Sequence, residues 1–165
     1  MRAVIQRVTR AQITCSSGKQ AEIDRGYVIM LGVGREDDSA DIEYMLKKIP
    51  NLRLFPDSTG VKNLSILEMN SARAGNYSTG AADKTGEILL VSNFTLHADT
   101  KRGRRPHYGR AADPEKSLPL YEELVKRLQE VHIDVKTGVF GDMMQIDMQA
   151  DGPVTIVLDS KLPEY

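Results

Sequence analysis

The chain has 165 residues, 41% hydrophobic and 27% charged, the proportions of a folded domain able to bury a core without disulfides or a structural metal. Its formal net charge of −1 excludes a protein that coats nucleic acid through a general positive field, and its longest apolar run, Tyr27 to Val33, is too short for a membrane-spanning helix. One cysteine, Cys15, excludes an internal disulfide, and no apolar leader follows Met1, so the expectation is a single domain, residues 1–165, in the cytoplasm.

Arg2 to Thr14 is rich in β-branched side chains and alternates like a long first strand. Gly18 and Gly26 punctuate a short second strand near Ala21-Glu22-Ile23, a third follows at Tyr27 to Leu31, and together they read as a meander. Asp38 or Ser39 can cap a helix whose apolar positions Ile42, Met45, Leu46 and Ile49 follow helical spacing up to Pro50. Leu52 to Phe55 reads as a strand closed by the turn Pro56 to Gly60, and Leu64 to Leu67 as a shorter apolar piece. Asn70 to Gly86 has few large apolar residues and reads as a surface loop. Glu87 to Ser92 is too apolar to be half-exposed and reads as a central strand. Asp113-Pro114 opens a second helix with an apolar stripe at Leu120, Tyr121, Leu124, Val125, Leu128 and Val131, and Pro119 predicts a kink or a restart capped at Ser117. The tail returns to strands at Asp134 to Thr137, Gln145 to Gln149 and Val154 to Leu158, with Asp151-Gly152-Pro153 between the last two.

The usual catalytic templates are missing. His97, His107 and His132 are scattered without helical pairing or cysteine partners, which argues against a metal site. No phosphate-binding loop or Gly-x-Ser-x-Gly elbow occurs, and Gly32-Val33-Gly34 supplies only part of a dinucleotide fingerprint. Cys15 lies in a strand-like stretch with no base near it in sequence, so packing is its expected role. Three features are left. Lys101, Arg102, Arg104, Arg105 and Arg110, with His107 among them, form the densest positive stretch, read from charge alone as a solvated loop. Ser92-Asn93-Phe94-Thr95 is a polar cluster at a strand end, read from composition as turn chemistry, and Gly152-Pro153 reads as a hairpin corner.

At these residues the chain resembles the D-aminoacyl-tRNA deacylase family, and the likeness runs to about Ser160. Met1 to Val8 resembles the family's opening strand, and Asn51-Leu52-Arg53-Leu54-Phe55 another of its blocks. Ser92-Asn93-Phe94-Thr95-Leu96 matches its Ser-Gln-Phe-Thr-Leu motif except at Asn93, Ala98 to Pro106 fits its basic loop, and Gly152-Pro153-Val154-Thr155 matches its Gly-Pro-Val-Thr motif. Ala150 stands where the family usually has Asn.

The resemblance implies a mixed α/β fold of largely antiparallel sheets in layers with two main helices on one side, assembled as a homodimer with active sites at the subunit interface. It implies hydrolysis of the ester in D-aminoacyl-tRNA, and of glycyl-tRNA, without a cofactor or metal. A cis Gly152-Pro153 pair would enter the partner's pocket and reject L-amino acids, with Arg7 bracing it. Ser92, Asn93, Phe94 and Thr95 would carry catalysis, the backbone N–H groups of Phe94 and Thr95 facing the developing oxyanion and the ribose 2′-OH assisting water. Phe140 and Met144 would border the terminal adenosine, and Lys101, Arg102, Arg104 and Arg105 would meet tRNA phosphates. Two alternatives remain: an animal-type relative that clears L-alanyl-tRNA, which carries a smaller residue where this chain has Phe94, and a non-catalytic nucleic-acid-binding homologue.

Overall fold

The computed structural model describes residues 1–74, 85–101 and 103–162. Among these residues, eight strands and three helices follow in the order β1 (Arg2–Cys15), β2 (Gln20–Ile23), β3 (Gly26–Gly32), α1 (Ser39–Lys48), β4 (Phe55–Pro56), β5 (Lys62–Leu64), α2 (Ile66–Ala74), β6 (Glu87–Ser92), α3 (Pro114–Glu130), β7 (Asp134–Thr137) and β8 (Met144–Asp159). Six strands form one mixed sheet, and β4 and β5 form a separate ribbon. β1 pairs antiparallel with β2, β3 and β8, while β3, β6 and β7 run parallel.

The opening is not a meander. Ala11 faces Ile23 and Val8 faces Gly26, so β2 and β3 lie end to end along one edge of β1 in a single register, interrupted only at Asp24-Arg25. Two residues between segments that both answer to β1 leave no chain for a reversal. β8 takes the other edge of β1.

The long strands serve two cores. Ala3, Ile5, Tyr27, Ile29, Leu31, Ile88 and Leu90 face the layer of α1 and α3, against Ile42, Met45, Leu124 and Leu128. Val28, Leu89 and Val91, alternating with these, face a second core with Val8, Ala11, Ile13 and Ile23. β6 is therefore buried on both sides, in keeping with its unbroken apolar run. In β1 the burial pattern changes phase at Arg7 and Val8, where the strand passes from one core to the other.

α1 is capped by Asp38, whose carboxylate accepts from Ala40 N at 2.9 Å while Asp41 accepts from the Asp38 N–H at 2.8 Å. α3 begins after Asp113 and runs unbroken through Pro119 with no restart at Ser117, whose hydroxyl instead donates to the Asp113 carbonyl at 2.9 Å. Pro119 is exposed, so water can satisfy the carbonyl that its missing N–H leaves free. Of the expected Leu52 to Phe55 strand only Phe55 pairs, facing Leu64, and Pro56 from the expected turn pairs with Lys62. α2 is a third helix that the sequence pattern did not suggest: Asn70 to Ala74 end it instead of starting a loop. Residues 75–84 of that expected loop lie outside the described residues, but its ends are tied, with Gly86 N donating to Asn70 Oδ1 at 2.7 Å.

Candidate active site

The end of β6 is built by its own sequence. Buried Leu89, Leu90 and Val91 bring the chain to Ser92, and Asn93 then caps a 3-10 turn, Phe94–His97. The Asn93 side-chain oxygen accepts from Thr95 N at 3.1 Å and from the Thr95 hydroxyl, while Asn93 N donates to Leu31 O at 2.7 Å. A side chain one methylene shorter than glutamine can fold back onto its own turn in this way. As a result the Thr95 N–H is already engaged, whereas the Phe94 N–H has no acceptor among the described residues.

Phe94 is 58% exposed, high for a phenylalanine, and stands edge-on to Tyr108 with ring centroids 5.0 Å apart. Sequence reasoning did not single out Tyr108; the available signal was an aromatic residue inside the basic stretch. The loop that precedes Tyr108 is closed by paired hydrogen bonds between Asp99 and His107, 2.7 and 2.9 Å. Within that loop the Lys101 N–H donates to Asp99 Oδ1 at 2.9 Å, and Arg110, beyond it, lies 3.7 Å from Asp99. Lys101, Arg104 and Arg105 are exposed, and Arg104 and Arg105 make no ion pair among the described residues; Arg102 lies outside them.

Gly152-Pro153 is not a hairpin corner. β8 is one strand of 16 residues, and both its halves pair with β1, which is long enough to serve them. Gln6 faces Thr155 and Val8 faces Ala150, so four residues, Asp151 to Val154, stand opposite Arg7 alone and bulge from the ladder. Gly152 has φ +132° and the Gly152–Pro153 peptide bond is cis. Arg7, only 6% exposed, reaches under the bulge: its Nε lies 3.3 Å from Asp151 O and 3.0 Å from Asp151 Oδ2, and a terminal nitrogen donates to Leu54 O.

Phe140 packs on Tyr121 at 5.4 Å, and Met144 packs at the edge of the second core; both are half-buried. Gly141 N donates to Ser92 Oγ at 3.3 Å, which ties the segment carrying Phe140 to the end of β6. The structure thus forms two separate groups. Ser92 is level with Leu31 and Ala3, whereas Arg7 is level with Tyr27 and Ile88. Arg7 and the Gly-Pro bulge therefore sit four residues, roughly 13 Å, further along the strands and across several of them. Within one chain the bulge and the Phe94 turn do not meet.

The D-Tyr-tRNA(Tyr) deacylase family model matches residues 4–159. The curated D-aminoacyl-tRNA deacylases of Thermosipho africanus and Bacteroides fragilis are 43% and 44% identical, the first over 98% of both chains, the second over 99% of this chain and all of the relative. Among solved structures, one described as c-Myc DNA Unwinding Element Binding Protein aligns with TM-score 0.80 and 36% identity over 96% of this chain and 98% of its own. One described as a probable eukaryotic D-amino acid tRNA deacylase shares the fold, with TM-score 0.75 at 14% identity over 95% and 97%. With near-complete coverage and the strand-end and Gly-Pro segments inside the matched span, the chain belongs to the D-Tyr-tRNA(Tyr) deacylase family.

Proposed function

We propose that this chain hydrolyses the ester of D-aminoacyl-tRNA, and of glycyl-tRNA, releasing free tRNA and the amino acid. The observation that carries the reading is the capped turn after β6, where the Phe94 N–H has no acceptor among the described residues and the Phe94 ring is exposed beside it. Water adds to the ester carbonyl, the carbonyl oxygen becomes an oxyanion held by that N–H, and collapse breaks the bond to the ribose oxygen, which leaves with a proton. Thr95 N–H serves this role only if Asn93 lets go of it. The nearest titratable side chain on the turn, His97, is 7% exposed and withheld from water, which favours the ribose 2′-OH as the group that assists attack.

Chiral selection belongs to the Gly152-Pro153 bulge. A homodimer supports it, because one chain leaves the bulge far from its own Phe94 while a two-fold partner can supply it. Backbone set against the reaction centre would exclude an L-side chain and admit a D-residue or glycine. Phe140 and Met144 offer their half-exposed faces to the terminal adenosine, and Lys101, Arg102, Arg104 and Arg105 offer charge to tRNA phosphates.

The test is hydrolysis of D-tyrosyl-tRNA against L-tyrosyl-, L-alanyl- and glycyl-tRNA by the purified full chain. Turnover of the D-ester and glycyl ester with the two L-esters spared is expected, whereas no D-ester turnover at micromolar enzyme overturns the reading. A second reading, a non-catalytic nucleic-acid-binding homologue, draws on the 36% identical structure described as a DNA Unwinding Element Binding Protein and would give DNA affinity with no ester hydrolysis.

A further inference from the structure

Tyr108 has no part in the reading above beyond its contact with Phe94. It stands on a turn fixed at both ends. Before it, Asp99 and His107 exchange backbone hydrogen bonds; after it, Ala111 N donates to Tyr108 O at 3.0 Å, Arg35 N to Arg110 O at 2.9 Å and Ala112 N to Val33 O at 2.9 Å. The last two bonds tie the turn to the segment that follows β3. Backbone therefore holds the ring beside Phe94, while its hydroxyl makes no hydrogen bond among the described residues. An edge-on neighbour covers at most one face of a ring, and Tyr108 is exposed, so a face stays open to a flat partner. Lys101, Arg104 and Arg105, all exposed, lie on the loop that leads into the turn.

We propose that Tyr108, propped by Phe94, is the stacking platform for the cytosine that precedes the terminal adenosine of tRNA. The inference rests on the proposed function, which puts the ester at the Phe94 N–H and the adenosine against Phe140 and Met144. β6 lies between β3 and β7 in the sheet. Phe140 follows β7, whereas the Tyr108 turn is bonded to the chain after β3, so the two stand on opposite sides of the end of β6. With the adenosine on one side, the nucleotide chain continues past Phe94 to the other. There it meets an exposed aromatic pair next to cations, the combination that holds single-stranded RNA: the charges take phosphates and the rings take bases, each of which has a flat face. Stacking reads no base edge, so the platform adds affinity without discriminating among tRNAs, which suits substrates that share one 3′ end.

The test compares two D-tyrosyl esters, that of full-length tRNA and that of adenosine alone, which lacks the preceding nucleotide. In Y108L the ratio of kcat/KM for the tRNA ester to that for the adenosine ester is expected to fall about tenfold, through KM, whereas in Y108W, which keeps a flat ring, it stays within about threefold of wild type. An unchanged ratio in Y108L, or an equal fall in both variants, overturns the platform. So does a shift of Y108L toward monomer in sedimentation velocity, because the aromatic pair then belongs to the subunit interface. If Y108L does not fold, wild type alone decides: adding one cytidine nucleotide to the adenosine ester should lower KM about tenfold more than adding an abasic nucleotide, and equal KM values refute stacking. A wild type that hydrolyses neither ester counts against the proposed function. The platform is then decided by titrating the unesterified trinucleotide CCA against one abasic at its middle position, where about tenfold tighter CCA supports stacking and equal binding overturns it.

Discussion

At Gly152 a side chain would meet two obstacles at once, since φ is +132° and a Cβ would lie 2.8 Å from Val154 Cγ2 and 2.9 Å from Val154 N. The Gly152→Ala variant is therefore expected to lose about 1–3 kcal/mol of stability. It should also lose most D-ester hydrolysis or its preference over the L-ester. A thermal melt and the paired ester assay check this, and a G152A protein with full activity and full selectivity contradicts the role given to the bulge. His97 makes a different prediction. Burial, its largest influence, holds the imidazole below its ordinary value, with Arg2 and the Met1 ammonium adding to this and Asp37 opposing it. Asp159 pairs with Arg2 at 2.7 Å, and Lys161 and Arg110 border the same cleft. The unfolded chain thus takes up a proton at higher pH than the folded one. The stability contributed by neutral His97 is complete above about pH 6.5 and is lost as pH falls from there toward its lower folded value. Melting curves between about pH 7.5 and 5.5 should show a fall for wild type that H97N lacks in part; identical pH slopes would count against this account.

At the scale of elements, the turn Phe94–His97 depends on Asn93 as its cap. Asn93→Ala frees the Thr95 N–H and hydroxyl and is expected to cost about 1 kcal/mol. Asn93→Asp keeps the acceptor and should stay near wild type in melting temperature. If freeing Thr95 N–H supplies a second oxyanion donor, kcat of N93A holds or rises despite the lower stability; if the turn needs its cap to aim Phe94, kcat falls with it. The bulge in β8 is likewise a property of an element. Four residues face one because Arg7 takes the space under them and the ladder resumes at Gln6 and Thr155.

For the whole molecule, the separation of the Phe94 turn from the Gly-Pro bulge makes self-association a requirement of the proposed function. β8 carries exposed apolar side chains, Met148 at 40% and Val157 at 41%, on an outer strand whose described pairing is with β1. Sedimentation velocity should find a dimer at micromolar concentration, and Val157→Asp should shift it toward monomer with loss of activity. A fully active wild-type monomer overturns the cross-subunit site. The basic segment acts at the same scale, because its charges are local in a chain of net charge −1. Neutralising Lys101, Arg104 and Arg105 should weaken tRNA binding and flatten its salt dependence, by about 0.7 in log–log slope for each phosphate that is no longer neutralised. An unchanged slope would mean that these side chains stay in water.

Most elements were legible in the chain because their signals are local. The unbroken apolar run of β6, the capping box of α1 and the Asp113-Pro114 start of α3 each act within a few residues. Membership of the family was also legible, in the strand-end and Gly-Pro segments. α2 was not legible, since its nine residues have little apolar periodicity and sit against a Gly- and Ala-rich stretch. Features that depend on contacts between distant residues emerged in the folded chain alone. Gly-Pro became a bulge and not a corner because β1 offers partners on both sides of it. Asn93 turned inward to cap its own turn, leaving Phe94 as the donor without a partner among the described residues. His97 found a seat beside two glycines more than sixty residues away in the chain, where side-chain packing, invisible to local pattern, sets which polar atoms remain available for chemistry.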